Sequence, residues 1–226
     1  METKESTQAL NNDQTPGGVG DYTDYGYDSA LPSHTNAYIW EPTLRHLHRY
    51  VPKGRVLDAG CGNGSFCKAL VSKGSYDVVG IDLAESGIDI AKRNVPGATF
   101  HLLSVQEDLV EIFGAPFDAV VSLEVIEHLY SPKQFVEGMY RAVRPGGLLI
   151  ISTPYHGYLK NLALSATGKM DAHFTAHWEG GHIKFFSRKS LTRLVEENGF
   201  KVRQFVGCGR WPYLWKSMLI VAQRQG

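Results

Sequence analysis

Short, continuously apolar runs alternate along the chain with stretches whose apolar positions recur every three or four residues. The runs are Arg55–Ala59, Tyr76–Ile81, Thr99–Leu103, Phe117–Leu123 and Leu148–Thr153. Unbroken apolar strands of this length are what a parallel sheet needs when helices cover both of its faces. Between them the spacing predicts helices over Ser65–Lys73 and Ser86–Asn94, and a third starting near Pro132. Arg144-Pro145-Gly146-Gly147 is a turn leading into the fifth strand. Ser187 is placed as the N-cap of a helix that runs to Asn198 and is closed by Gly199. Two more apolar runs, Lys201–Val206 and Met218–Ala222, suit an antiparallel hairpin at the sheet edge. Upstream, a helix is expected from Asn36 or Pro42 to Tyr50, with Leu44 and Leu47 on one face and Pro52-Lys53-Gly54 ending it. The pattern predicts an α/β protein with a doubly wound, Rossmann-like sheet of seven strands.

Two segments fall outside this alternation. Residues 1–20 carry hardly any apolar side chains and are expected to be a disordered tail, with the folded domain spanning 21–226. Residues 154–186 show no clear period and hold Tyr155, His156, Tyr158, His173, Phe174, His177, Trp178, His182, Phe185 and Phe186. An insert of that length inside a domain is usually functional, and this one is expected to cover a substrate. At 226 residues, 43% of them hydrophobic, the chain is long enough for one domain with a substantial core. Lys+Arg and Asp+Glu balance at 23 each, which argues against nucleic acid or an anionic membrane as partner. No apolar run reaches membrane-spanning length, and the polar start is unlike a signal peptide. Cys61, Cys67 and Cys208 are too few and too scattered for a disulfide framework or a zinc site, so a reducing cytoplasm is the expected setting.

The chemistry concentrates where strands end. Val56 and Leu57 lead into Asp58, and then into a loop with Gly60, Gly62 and Gly64 before the next helix. Glycines there let a ligand approach bare backbone, and the N–H groups at the helix start face it. The next strand ends in Asp82, where a nucleotide-binding βαβ unit carries its ribose-binding carboxylate. A dinucleotide site wants G-x-G-x-x-G, but here the spacing is G-x-G-x-G and Ser65 stands where the third glycine belongs. Asp58 would repel a pyrophosphate and suits the ammonium group of a methionine. The plainer reading of the loop is a tight turn that binds nothing.

This arrangement resembles the S-adenosylmethionine (SAM) site of class I methyltransferases. The resemblance implies sheet order 3-2-1-4-5-7-6 with the last strand antiparallel. It also implies that Asp82-Leu83 takes the ribose hydroxyls, that Ser104-Val105 borders the adenine, and that Ser122-Leu123-Glu124-Val125-Ile126-Glu127-His128 runs beneath the methionine end. The family often has Asp where Ser104 stands. Within that superfamily, Glu124–His128, Ser152-Thr153-Pro154 and His182–Ser187 resemble the ubiquinone-biosynthesis O-methyltransferases, while the N-terminal segment and the insert differ. Ser152-Thr153-Pro154-Tyr155 also resembles the S/N/D-P-P-Y motif of amino-methylating nucleic-acid enzymes. It follows the fifth strand rather than the fourth, however, and has one proline rather than two.

SAM already carries an activated methyl, so transfer is an in-line displacement by a nucleophile held about 3 Å away, often with removal of a proton. His128, after the fourth strand, and His182, where the insert returns to the sheet, are the candidate bases. For both, the plainer reading is a structural histidine. Glu124, Glu127 and His128 lie at i, i+3 and i+4, so on a helix they would share a face that could hold a divalent cation, as the ubiquinone-type resemblance implies. An acid-rich first helical turn explains the same residues without a metal, and none is assigned as a metal ligand. His173 and His177 could share a helical face but lack a placed carboxylate. Tyr22, Tyr25 and Tyr27 are read as part of a cover over the cofactor. The function expected is methyl transfer from SAM to a small-molecule acceptor, most simply at a hydroxyl oxygen. The alternatives are transfer to nitrogen or carbon, an NAD(P)-dependent oxidoreductase, and a SAM-binding protein without catalysis.

Overall fold

The computed structural model describes residues 26–31, 35–178 and 180–226. The expected tail, Tyr22 and Tyr25 lie outside the described residues. In chain order the elements are α1 (Asn36–Tyr50), β1 (Gly54–Ala59), α2 (Ser65–Val71), β2 (Tyr76–Asp82), α3 (Glu85–Asn94), β3 (Ala98–Leu102), α4 (Leu109–Phe113), β4 (Phe117–Leu123), α5 (Pro132–Ala142), β5 (Val143–Pro154), α6 (Tyr158–Ala166), α7 (Met170–Phe174), α8 (Arg188–Glu197), β6 (Phe200–Cys208) and β7 (Ser217–Arg224). The sheet order is β3-β2-β1-β4-β5-β7-β6. β1 to β5 pair in parallel, and β7 runs antiparallel to both β5 and β6.

Strand periodicity of two divides the apolar residues between two layers. Leu57, Ala59, Val79, Ile81, Val120, Leu149 and Ile151 face α5 and α8, packing on Phe135, Val136, Met139, Leu191 and Val195. Val56, Val78, Ala119, Val121, Leu148 and Ile150 face α1, α2 and α3, packing on Ile39, Leu47, Phe66, Leu70, Ile88 and Ala91. Burial on both faces is why the strands read as unbroken apolar runs. The strand order reverses at β1, between β2 and β4. Loops on either side of that point leave the sheet in opposite directions and open a crevice at the strand C-terminal ends.

Of the two starts expected for α1, Asn36 is the one found, with Pro42 in the helix interior. Two expectations change. The insert is not structureless, because α6 and α7 fill its first half. Glu124 to His128 do not form a helix: Glu124 has φ 58°, and only Ile126–His128 make a single 3₁₀ turn. The N-cap at Ser187 is as expected, with a reciprocal bond to Ser190.

Phe135 is fully buried on the inner face of α5. Phe135→Ala is expected to cost about 3–5 kcal/mol of stability, measured by urea unfolding.

Candidate active site

The crevice is built by four consecutive strand ends. After β1, the backbone N–H groups of Gly60 and Cys61 both donate to the Ile81 carbonyl, at 2.9 Å each. Gly60 has φ +86°, and a Cβ there would run into the Val125 side chain. Gly62, at φ +52°, is held close to the Tyr27 ring, which also packs over Gly87. Both positions therefore need glycine for conformation and for space. Asp82, after β2, ties the loops together. Its Oδ2 accepts from Gly62 N and its Oδ1 from Ala84 N, both at 2.8 Å. Asn63, which the sequence reading passed over, donates to the carbonyls of Ser29 and Leu31 and anchors the N-terminal segment against the loop. Of the three tyrosines read as a cover, Tyr27 does lie against the glycine loop.

Asp58 is 2% exposed. Burial raises its carboxyl to about 7, the Cys67 thiol, donating at 3.2 Å, pulls it down, and the nearby Asp82 charge pushes it up. Two acidic side chains thus stand at this end of the sheet, an environment suited to a cation and hostile to phosphate. After β3, the Ser104 hydroxyl accepts from Gln106 N at 3.1 Å. The Val105 side chain packs into the core. Leu83 and Leu123 are half-buried at the ends of β2 and β4.

After β4 the acidic pair separates. Glu124 accepts from the Ser152 hydroxyl at 2.8 Å and the Ser217 hydroxyl at 3.0 Å. Burial raises its carboxyl to about 7 against the pull of those hydroxyls and of Lys160. Glu127 is fully buried, and among the described residues neither of its carboxylate oxygens makes a well-formed hydrogen bond, although the Thr153 hydroxyl favours its charged form. Burial and the Glu124 charge push its carboxyl well above the usual carboxylate range. Orphaned buried carboxylate oxygens are rare and call for a ligand or a proton. The Glu127 main-chain carbonyl accepts from the backbone N–H groups of Ile183 and Lys184, which draws the end of the insert onto β4.

That strap brings the two candidate histidines together. The ring centroids of His128 and His182 are 4.9 Å apart. His182 Nε2 lies 4.0 Å from Glu127 Oε1. His128 Nδ1 donates to the carbonyls of Gly180 at 2.8 Å and Gly181 at 3.2 Å, so its Nε2 keeps a free lone pair. Burial lowers the pKa of both rings, with His182 reaching about 4 as His128, His173 and Lys160 add to the effect. One ligand atom from each of Glu127, His128 and His182 lies within 4.8 Å of the others, a set that could hold a cation. Glu124 is not in that set, because its positive φ turns it toward Ser152 and Ser217. His173 lies in α7, which ends at Phe174, and His177 lies beyond the left-handed Thr175, so these two share no helical face.

Aromatic and imidazole rings pack together within the insert. His156 stacks on Phe174 at 5.6 Å, meets Phe185 edge-on at 5.0 Å and lies 5.5 Å from His173. Phe186 and Tyr155 belong to the core instead. Lys160, also passed over, is the one charged residue in α6, which could have drawn attention to it.

Geometry and sequence comparisons agree. A methyltransferase domain profile matches residues 33–204. The chain belongs to the methyltransferase domain family. Its fold is that of class I SAM-dependent methyltransferases, and the protein is a SAM-dependent methyltransferase domain. It is 34% identical over 165 residues to a ubiquinone biosynthesis O-methyltransferase of Maricaulis maris, an alignment covering 70% of this chain and 63% of that protein. The chain thus spans less than two thirds of that relative's length. A ubiquinone biosynthesis O-methyltransferase of Methylobacterium is 32% identical over 194 residues, covering 77% of this chain and 76% of the relative. The crystal structure of magnesium protoporphyrin IX methyltransferase from Synechocystis, with S-adenosylhomocysteine (SAH) bound, superposes with a TM-score of 0.64 at 19% identity, covering 82% of each chain. At that identity it shows the shared fold. No helix among the described residues of this methyltransferase domain is long and apolar enough to cross a membrane.

Asp58 generates a pH prediction. Unfolded, its carboxyl titrates near 3.8; folded, near 7. Below about pH 4 both states are protonated and no stability difference arises. As pH rises through that window, the unfolded chain releases a proton the folded chain still holds, and stability falls by up to roughly 1.4 kcal/mol per pH unit. Thermal unfolding of the ligand-free protein is expected to lose less stability between pH 4 and 7 in Asp58→Asn than in the wild type.

Proposed function

We propose that this chain transfers the SAM methyl group to a hydroxyl oxygen of a small molecule held between the strand ends and the insert. The observation that carries this reading is Glu127, a buried carboxylate that makes no well-formed hydrogen bond among the described residues and lies 4.0 Å from His182 just beyond the end of β4. On this reading the glycine loop at Gly60, Gly62 and Gly64 admits the cofactor. Asp58 faces its methionine ammonium, and Asp82, held in place by the Gly62 and Ala84 backbone N–H groups, takes the ribose hydroxyls. Ser104 and the Val105 backbone border the adenine, with Leu83 and Leu123 as apolar walls. His182 takes the acceptor proton as the oxygen attacks the methyl carbon and the sulfonium bond breaks. An imidazole with a folded pKa of about 4 is a weak base alone. The adjacent Glu127 carboxylate answers the charge it gains, and His128, held by Gly180 and Gly181, fixes its position. The ubiquinone-type relatives point to oxygen as the acceptor atom.

A second reading rests on the same cluster. Glu127, His128 and His182 fit a divalent cation, since two orphaned carboxylate oxygens and two neutral imidazoles converge there. Bound there, it would supply the positive charge that eases ionisation of the acceptor hydroxyl. Activity that survives dialysis against EDTA supports His182 as the base. Activity lost with EDTA and restored by Mg²⁺ or Mn²⁺ supports the cation.

Isothermal titration with SAM and SAH, with NADH as control, tests the reading. Micromolar binding of the sulfur ligands alone is expected, and binding of NADH alone overturns it. Asp82→Ala should weaken SAM binding by about 1.5–3 kcal/mol, because a charge-assisted bond is lost. His182→Ala should cut turnover while leaving SAM affinity near that of the wild type.

A further inference from the structure

The two aspartates beside the glycine loop are held in different ways. Asp82 accepts from two backbone N–H groups, those of Gly62 and Ala84, both at 2.8 Å. Its position is set by main chain, which no substitution at another side chain removes. Asp58 has no backbone donor among the described residues. Its one hydrogen-bond donor there is the Cys67 thiol, 3.2 Å from Oδ2. The arrangement follows from the local fold. Asp58 shares a face of β1 with Val56, and α2 leaves the glycine loop and turns back over that face. Cys67, in the first turn of α2, is completely buried there.

The surroundings leave the thiol a particular task. α1, α3 and β4 give this face apolar side chains, among them Ile39, Leu47, Ile88, Ala91 and Val121. The titratable groups facing Asp58 are Cys67 from α2, Cys61 from the loop and Asp82 from the end of β2. Cys61 directs its own Sγ to the Gly62 carbonyl at 3.8 Å. Burial and the Asp82 charge favour the neutral Asp58 carboxyl, and the Cys67 thiol favours the anion. A thiol has a single, weak proton to donate, and a neutral carboxyl has no charge with which to answer an ammonium. With the carboxyl titrating at about 7, loss of one donor changes how much anion the ligand-free protein holds at neutral pH.

We propose that Cys67 is a positioning residue for the cofactor, its thiol holding the Asp58 carboxylate as an anion turned to the amino-acid end of SAM. This rests on the methyltransferase reading and adds a residue that the glycine-loop pattern does not include. Cys67 acts through Asp58 and touches neither the methyl group nor the acceptor.

The test is isothermal titration with SAH at about pH 6 and about pH 8.5, with 5′-methylthioadenosine as a second probe. That compound keeps the nucleoside and the sulfur but has no amino-acid end. The ratio of variant to wild-type affinity is compared at each pH, so titration of the ligand's own amino group cancels. Cys67→Ala is expected to weaken SAH roughly tenfold at the lower pH and less than about twofold at the higher, the range set by one hydrogen bond to a charged group. Its affinity for methylthioadenosine should stay within about twofold of wild type. Cys67→Ser, which keeps a donor, should retain most of the SAH affinity at both pH values. In an Asp58→Asn background, Cys67→Ala should change SAH affinity less than about twofold at either pH. A loss that is equal at the two pH values, an equal loss for methylthioadenosine, or a Cys67→Ser no better than Cys67→Ala overturns the proposal. SAH that fails to bind the wild type overturns the methyltransferase reading beneath it, which separates the two failures.

Discussion

Everything in this site hangs on where a parallel sheet reverses its order. β1 lies between β2 and β4, so the connections on its two sides leave in opposite directions. All the parallel strands point their C-terminal ends to one edge, and that edge alone can gather loops without crossing the sheet. Asp58, Asp82, Glu124 and Glu127 reach it because each stands where a buried strand gives out. The loops are then locked to one another. Ile81 receives two N–H groups from the glycine loop, and Asp82 bridges that loop to the start of α3. The crevice is therefore a rigid backbone feature before any ligand enters, which keeps the ordering cost of binding low.

Charge is the second organising element. Three carboxylates, Asp58, Glu124 and Glu127, are held out of water at the strand ends. Burial of charge is expensive unless something answers it, and the protein answers these unequally. Asp58 has a thiol, Glu124 has two hydroxyls and a nearby lysine, and the Glu127 carboxylate oxygens make no well-formed hydrogen bond among the described residues. That gradient tracks distance from the glycine loop toward the insert, where the imidazoles collect. Asp58 and Asp82 stand by the glycine loop, while at the insert end Glu124 and Glu127 meet Lys160 and the imidazoles.

The insert shows how a segment without a strong period becomes part of a site. Its two short helices are not held by propensity, since α7 is one turn and exposes most of its surface. They are held by rings on His156, Phe174 and Phe185, by Lys160 reaching to Tyr155 and Lys216, and by backbone bonds from Ile183 and Lys184 to Glu127. All of these are contacts between residues far apart in sequence, which a local pattern does not reveal. The same holds for Lys160, whose importance comes from the hairpin of β6 and β7 arriving beside it.

The sequence by itself determined the sheet, the apolar centres of its strands, the glycine loop and the acidic residue after β2, but not every strand limit, since β5 runs from Val143 through the expected turn at Arg144–Gly147. These follow from continuous apolar runs and from glycines whose backbone angles other residues resist. Tertiary structure alone decided which polar residues meet. Spacing suggested that Glu124, Glu127 and His128 act as one helical face, yet the left-handed backbone at Glu124 sends it to Ser152 and Ser217 while Glu127 joins His182 from the insert. A period reports which side of an element is buried. The partner of a buried charge is set by chain that arrives from elsewhere, and only the folded arrangement contains that information.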